Sequence, residues 1–186
     1  MALVEDVKTG ALKRYYFLRA AVSVAWIAAV VAVGAGNPLA AGVLLVAYPA
    51  WDALANAMDA RANGGFKANP PQTFNVAVSL LVAGAVLVAL QADPRRVLTV
   101  FGVWAAFAGL LQLVAGVRRW RSVGAQWPMV LSGAQSMLAG AFMIAASLGA
   151  NPHPPTAVAV APYAAFGAFY FLLAGISLAL KARKTA

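Results

Sequence analysis

The chain has no cysteine, one histidine and five acidic residues in 186. Without cysteine there is no disulfide, no thiolate metal site and no thiol nucleophile. His153 and five carboxylates are too few to assemble a metal site of ordinary ligand count, so neither metal nor cofactor is expected. Charge of either sign is scarce: 10% of residues are Asp, Glu, Lys or Arg, and 63% are hydrophobic. A soluble domain carries roughly 25% charged residues, so a water-facing surface cannot be covered here. There is no glycine-rich phosphate loop, no nucleophile with a base in reach and no carboxylate pair at catalytic spacing. The expected protein is not an enzyme.

What is abundant is apolar sequence, with a mean hydropathy of +0.79. Runs of about 20 apolar residues recur, each long enough to cross a hydrocarbon core about 30 Å thick. Six such spans are expected, at about 15–36, 38–59, 73–92, 97–117, 126–149 and 157–180. They make residues 1–186 a single all-α transmembrane domain with short tails at 1–14 and 181–186. The first run is too long for a signal-peptide core and leads straight into further spans, so it is read as a retained helix. Residues 1–14 have the mixed composition of a short interfacial segment, which Gly10 weakens as a helix. Gly36-Asn37-Pro38, Arg61–Gln72, Asp93–Arg96, Arg118–Arg121 and Asn151–Pro155 are the connections.

The net charge of +9 is distributed as an orientation signal. Twelve of the fourteen basic residues fall on the side of the termini: Lys8, Lys13, Arg14, Arg19, Arg61, Lys67, Arg118, Arg119, Arg121, Lys181, Arg183 and Lys184. Only Arg95 and Arg96 fall opposite. The positive-inside rule puts both termini in the cytoplasm. Basic loops beside apolar runs contact lipid headgroups; they do not make a nucleic-acid surface. Tyr15, Tyr16, Trp120 and Trp127 lie near span ends, at headgroup depth.

Short outer turns alternate with longer basic inner loops, which groups the spans into three hairpins at about 15–59, 73–117 and 126–180. Aligned as repeats, they set Tyr48 against Phe107 and Tyr170, Leu54 against Leu113 and Ile176, and Arg61 against Trp120 and Arg183. Asp52, Asn56 and Asp59 have no counterpart, since they align with apolar residues or with Arg118 and Lys181. These three sit at i, i+4 and i+7 on the second span and form one polar stripe.

Asp52 lies about 10 Å below the cytoplasmic edge by helix rise. A carboxylate facing lipid there would cost on the order of 2.5–3.5 kcal/mol. Arg19, about one turn into the first span from the same side, is its expected partner, which would fix the register of the first hairpin. A proton- or ligand-handling carboxylate is the alternative, as is Asp52 reaching interfacial water while Arg19 snorkels. Asn56 is expected to bond a neighbouring helix, and Asp59, beside Arg61, to be a solvated helix end. Gln112 and Gln135, on adjacent helices, are expected to bond each other. Ser132, Ser136 and Gly140, with Gly133 beside them, and Gly109 and Gly116 on the fourth span, let backbones approach closely. They are expected to pack within the chain, with a homo-oligomer contact as the alternative. His153 is read as a solvated histidine between prolines, with a pH sensor as its sharper reading.

One stretch carries a resemblance. Phe101-Gly102-Val103-Trp104, Phe107-Ala108-Gly109-Leu110-Leu111-Gln112, Arg118-Arg119 and Trp127-Pro128-Met129-Val130-Leu131-Ser132-Gly133, with Gly140 seven residues on, are similar to the HdeD-like family of small bacterial membrane proteins. The resemblance covers Asp93–Ile144 and implies a six-helix bacterial inner-membrane protein built from repeated hairpins, with an association with acid or general stress resistance for the founding member, and no catalytic residues to carry over. Asp52 and Asn56 lie outside it. Two functions therefore stand at this point: a structural or stress-resistance membrane protein, and a small transporter or permeation unit using Asp52, Arg19 and Asn56.

Overall fold

The computed structural model describes residues 2–149 and 157–185. His153 and the turn around it lie outside them. Among the described residues every element is helical: α1 (Ala2–Ala29) continuing into a π-helical turn (Val30–Gly34), α2 (Pro38–Ala62), a 3₁₀ turn (Phe66–Ala68), α3 (Pro70–Ala92), α4 (Arg96–Trp120), α5 (Trp127–Ser147) and α6 (Ala157–Thr185). All six helices are long and apolar enough to cross a membrane, which makes this a multi-pass membrane protein. Its surface agrees: Leu39, Leu81, Leu138 and Phe142 are more than 70% exposed, as side chains that meet lipid instead of water must be.

Local chemistry sets the helix ends. Asn37 caps α2, its Oδ1 accepting from Ala40 N at 3.1 Å, with Pro38 in the first turn where a missing N–H costs nothing. Pro70 and Pro71 open α3 and Pro128 opens α5 in the same way. Gly64 and Gly65 take φ of 95° and 87° to turn the chain after α2. Asn69 ties that loop down, donating to the carbonyls of Asn63 at 2.8 Å and Gly65 at 2.9 Å. Residues 2–14 differ from expectation. They belong to α1, because a mid-helix glycine costs only about 1 kcal/mol and Leu12 and Tyr16 are buried one turn apart just after Gly10.

The helices close into a ring in chain order, α1 returning to pack against α6. The closest neighbours are α4 with α5, α2 with α3 and α6 with α1, whereas α1 with α2 and α5 with α6 touch more loosely. The tight pairs are thus offset by one helix from the grouping that loop lengths suggest. Trp26, Leu45, Tyr48, Val86, Phe101, Trp104, Met143 and Val160 come from all six helices and form the core in one axial half of the ring, the half away from the termini. Leu12, Tyr16, Met129, Phe171 and Leu178 form a smaller cluster in the other half. The loop before α5 locks this second half. Buried Gln126 accepts from Tyr16 Oη of α1 at 2.7 Å, and Lys181 of α6 donates to the Val123 carbonyl.

Pro49 lies inside α2 without ending it. It removes the bond that the Leu45 carbonyl would receive, and Trp26 Nε1 reaches into the same turn, donating to the Leu44 carbonyl at 2.8 Å.

The tightest contact is the α4–α5 seam, and it consists of glycines spaced by seven. Gly102 meets Gly140, Gly109 meets Gly133, and Gly116 faces Met129 and Val130. A Cβ on Gly109 would stand 2.6 Å from the Gly133 carbonyl oxygen, a backbone atom that cannot yield. Ser132 and Ser136 fall beside this seam and line the ring interior. Gly109→Ala is therefore expected to destabilise the protein by about 1–3 kcal/mol through overpacking. Gly84→Ala, where an added Cβ meets nothing within 4 Å, is expected to be neutral. Thermal unfolding in detergent compares the two.

Candidate functional site

Asp52 is 6% exposed, and its carboxylate is the centre of a network drawn from four helices. Oδ1 accepts from the Arg19 guanidinium of α1 in a buried ion pair. Oδ2 accepts from Asn56 Nδ2 at 3.1 Å, Asn75 Nδ2 at 2.9 Å and Ser79 Oγ at 2.9 Å. Ser79 in turn accepts from Trp104 Nε1 of α4 at 2.9 Å. Arg19 also donates to Tyr15 Oη at 3.1 Å, and its guanidinium carbon stands 4.3 Å from the Phe171 ring centroid, so its charge is shared between an ion pair and an aromatic face. Four donors on one carboxylate offset the desolvation of the charged form.

The structure therefore brings Arg19, Asp52 and Asn56 together. Asn56 differs in one respect: it turns back onto its own helix, donating to the Asp52 carbonyl at 2.8 Å as well as to the carboxylate. The interhelical partners are Asn75 and Ser79, which sequence reading passed over. Their signal was available, since they stand at i and i+4 on α3 as Asp52 and Asn56 do on α2.

Asp59 is not a solvated helix end. It is 4% exposed and pairs with Arg119 near the end of α4, not with its near neighbour Arg61. Gln72 Nε2 at 3.2 Å and Asn63 Nδ2 at 2.9 Å complete its shell. Arg119, expected in an interfacial loop, is thus drawn into the bundle, with its side chain 16% exposed. A small void lined by Arg19, Asn56, Asp59, Asn75, Gln112 and Arg119 lies between the two ion pairs.

Beside the Asp52 network, all six helices enclose a cavity of about 400 Å³. Arg19, Asp52, Asn75, Gln112, Ser132, Gln135 and Ser136 give it polarity, and Tyr48, Trp51, Trp104, Tyr163, Phe166 and Phe171 give it aromatic walls. Leu138 and Phe142 of α5 and Phe166 of α6 belong both to its lining and to the exposed surface. The mouth is therefore lateral, between α5 and α6, where the ring is loose. Gln112 does not bond Gln135. Its Nε2 is buried without a partner, as are Arg19 Nε, Trp51 Nε1 and Asn75 Oδ1. Ser136 is engaged, donating to the Ala105 carbonyl at 3.1 Å and sharing a hydrogen bond of 2.7 Å with Tyr163 Oη. Of the small residues singled out from sequence, Gly109, Gly116, Gly133 and Gly140 lie in the seam, and Ser132 and Ser136 line the cavity. Among the described residues no cluster of three metal-ligating side chains occurs.

Compared with protein-family models, curated proteins and solved structures, the chain matches none of them.

Breaking one side of the buried pair leaves the other charge uncompensated. Arg19→Gln is expected to cost about 3–5 kcal/mol. The double variant Arg19→Gln with Asp52→Asn is expected to cost clearly less than the two single changes added together. Reversible unfolding in mixed micelles, run as a double-mutant cycle, measures that coupling.

Proposed function

We propose that this chain is a small transporter or permeation unit of the bacterial cytoplasmic membrane, with both termini cytoplasmic. It takes a ligand from within the bilayer into the cavity beside Asp52, and performs no catalysis. One observation carries the reading: the cavity reaches the Arg19–Asp52 pair and opens sideways between α5 and α6. A carboxylate serving helix register alone needs donors but no adjoining space. Here both are present, and ionisable residues within spans commonly mark ligand or ion pathways. The cytoplasmic placement of the termini is supported by the excess of basic residues at their end. A threefold hairpin architecture is part of the same proposal, supported by the alternation of short and long loops.

A second reading is favoured by a separate observation. Two buried ion pairs and a glycine seam bind the helices into a rigid bundle. That suits a structural, stress-resistance role of the HdeD type, in which the protein acts by its presence in the bilayer, alone or as a homo-oligomer, with lipids as its partners.

The absence of cysteine gives a clean test. Ser132→Cys lines the cavity, whereas Ala105→Cys is packed at 0% exposure. In membranes, Ser132→Cys is expected to react with N-ethylmaleimide at least tenfold faster than Ala105→Cys. Equal, negligible labelling at both positions would leave the structural reading in place and remove the ligand-handling one.

A further inference from the structure

We propose that the cavity receives the ring of a lipid-soluble quinone, an uncharged planar dicarbonyl with an apolar tail. The inference rests on the ligand-handling reading above and specifies its substrate class. Four observations converge on it.

The first is the pattern of unmatched polar atoms. Arg19 Nε, Trp51 Nε1 and Gln112 Nε2 are buried donors without partners, and Asn75 Oδ1 is a buried acceptor without one. All four residues line this cavity, and Arg19, Asn75 and Gln112 also border the smaller void beside it. Native structures leave few such atoms, because each forfeits a hydrogen bond that water would have supplied. Three donors to one acceptor suits a head that mainly accepts hydrogen bonds, as carbonyl oxygens do. A hydroxyl on the same ring, as in the reduced quinol, would find Asn75 Oδ1.

The second is charge. Arg19 and Asp52 already neutralise each other, and no other Asp, Glu, Lys or Arg lines the cavity. A carboxylate, phosphate or ammonium head would bring in a charge with no counter-ion, at a large cost in an apolar interior. The ligand is therefore neutral.

The third is shape. The rings of Tyr48, Trp104 and Tyr163 stand with centroids 5.7–6.4 Å apart at steep angles, and with Trp51 they give flat apolar walls of the kind against which a planar ring packs.

The fourth is the route. The rim at Leu138, Phe142 and Phe166 is exposed to lipid, so the ligand arrives from the bilayer and its tail can stay there. At about 400 Å³ the cavity falls within the roughly 300–1,000 Å³ of small-molecule sites.

The test is calorimetric titration of the intact chain in phosphatidylcholine nanodiscs, with empty nanodiscs as the blank. Three probes are compared: a decyl-tailed benzoquinone, decanoate and decyltrimethylammonium. The quinone is expected to show one saturable site per chain, and the two charged probes none. Gln112→Leu and Trp51→Phe each remove one free donor without touching the Asp52 network. Each is expected to weaken quinone binding about tenfold while thermal unfolding stays close to wild type. Saturable binding of a charged probe but not of the quinone would overturn the head-group inference and leave ligand handling intact. Quinone binding unchanged in both variants would also overturn it, since the site would then lie elsewhere. If no probe saturates, the inference and the ligand-handling reading fall together.

Discussion

A carboxylate in the middle of an apolar bundle has to be surrounded by donors, and Asp52 imposes that constraint on the rest of the fold. Its oxygens accept from Arg19, Asn56, Asn75 and Ser79, and Ser79 passes the constraint to Trp104. Helices α1, α3 and α4 are thereby held at fixed heights and rotations against α2. Apolar side chains would tolerate several such arrangements, because lipid and leucine are equally apolar and give helices little reason to prefer one contact. Directional bonds to a single charge do discriminate. The aromatic core of Trp26, Tyr48, Phe101 and Trp104 then fills the space that geometry leaves.

Hydropathy alone locates the six spans, because length and apolarity are what a bilayer demands of a helix. The meeting of Arg19 with Asp52 was legible for a related reason: two opposite charges at similar depth in adjacent spans have few other ways to avoid lipid. Asn75 and Ser79 escaped notice because one amide and one hydroxyl barely lower the hydropathy of a 23-residue helix. Asp59 was misread because Arg61 is near in sequence, while its actual partner, Arg119, is 60 residues away. The cavity could not be read at all. It depends on which helices pack loosely, and loop lengths say which helices are consecutive, not how closely they touch.

The two sides of α5 contrast. Toward α4 it presents glycines and permits backbone contact along its length. Toward α6 it presents Leu138 and Phe142 at a lipid-exposed rim. Of the two neighbours of α5, α6 is the more loosely packed. The bonds of Tyr16 and Lys181 to Gln126 and Val123, in the loop before α5, hold the other end of that side.

The spacing of the buried ion pairs along the chain has a consequence for biogenesis. Arg19 enters the membrane before its partner exists, and Asp52 follows 33 residues later. At ribosomal rates of about 5–20 residues per second, that interval is on the order of seconds. Asp59 waits across 60 residues for Arg119, and Tyr16 across 110 for Gln126. During synthesis each of these groups needs a temporary companion: headgroups, water or the insertion machinery. The last seal, α6 against α1, cannot form until α6 itself has been made. Fragments released early would thus expose unpaired charge to the bilayer interior.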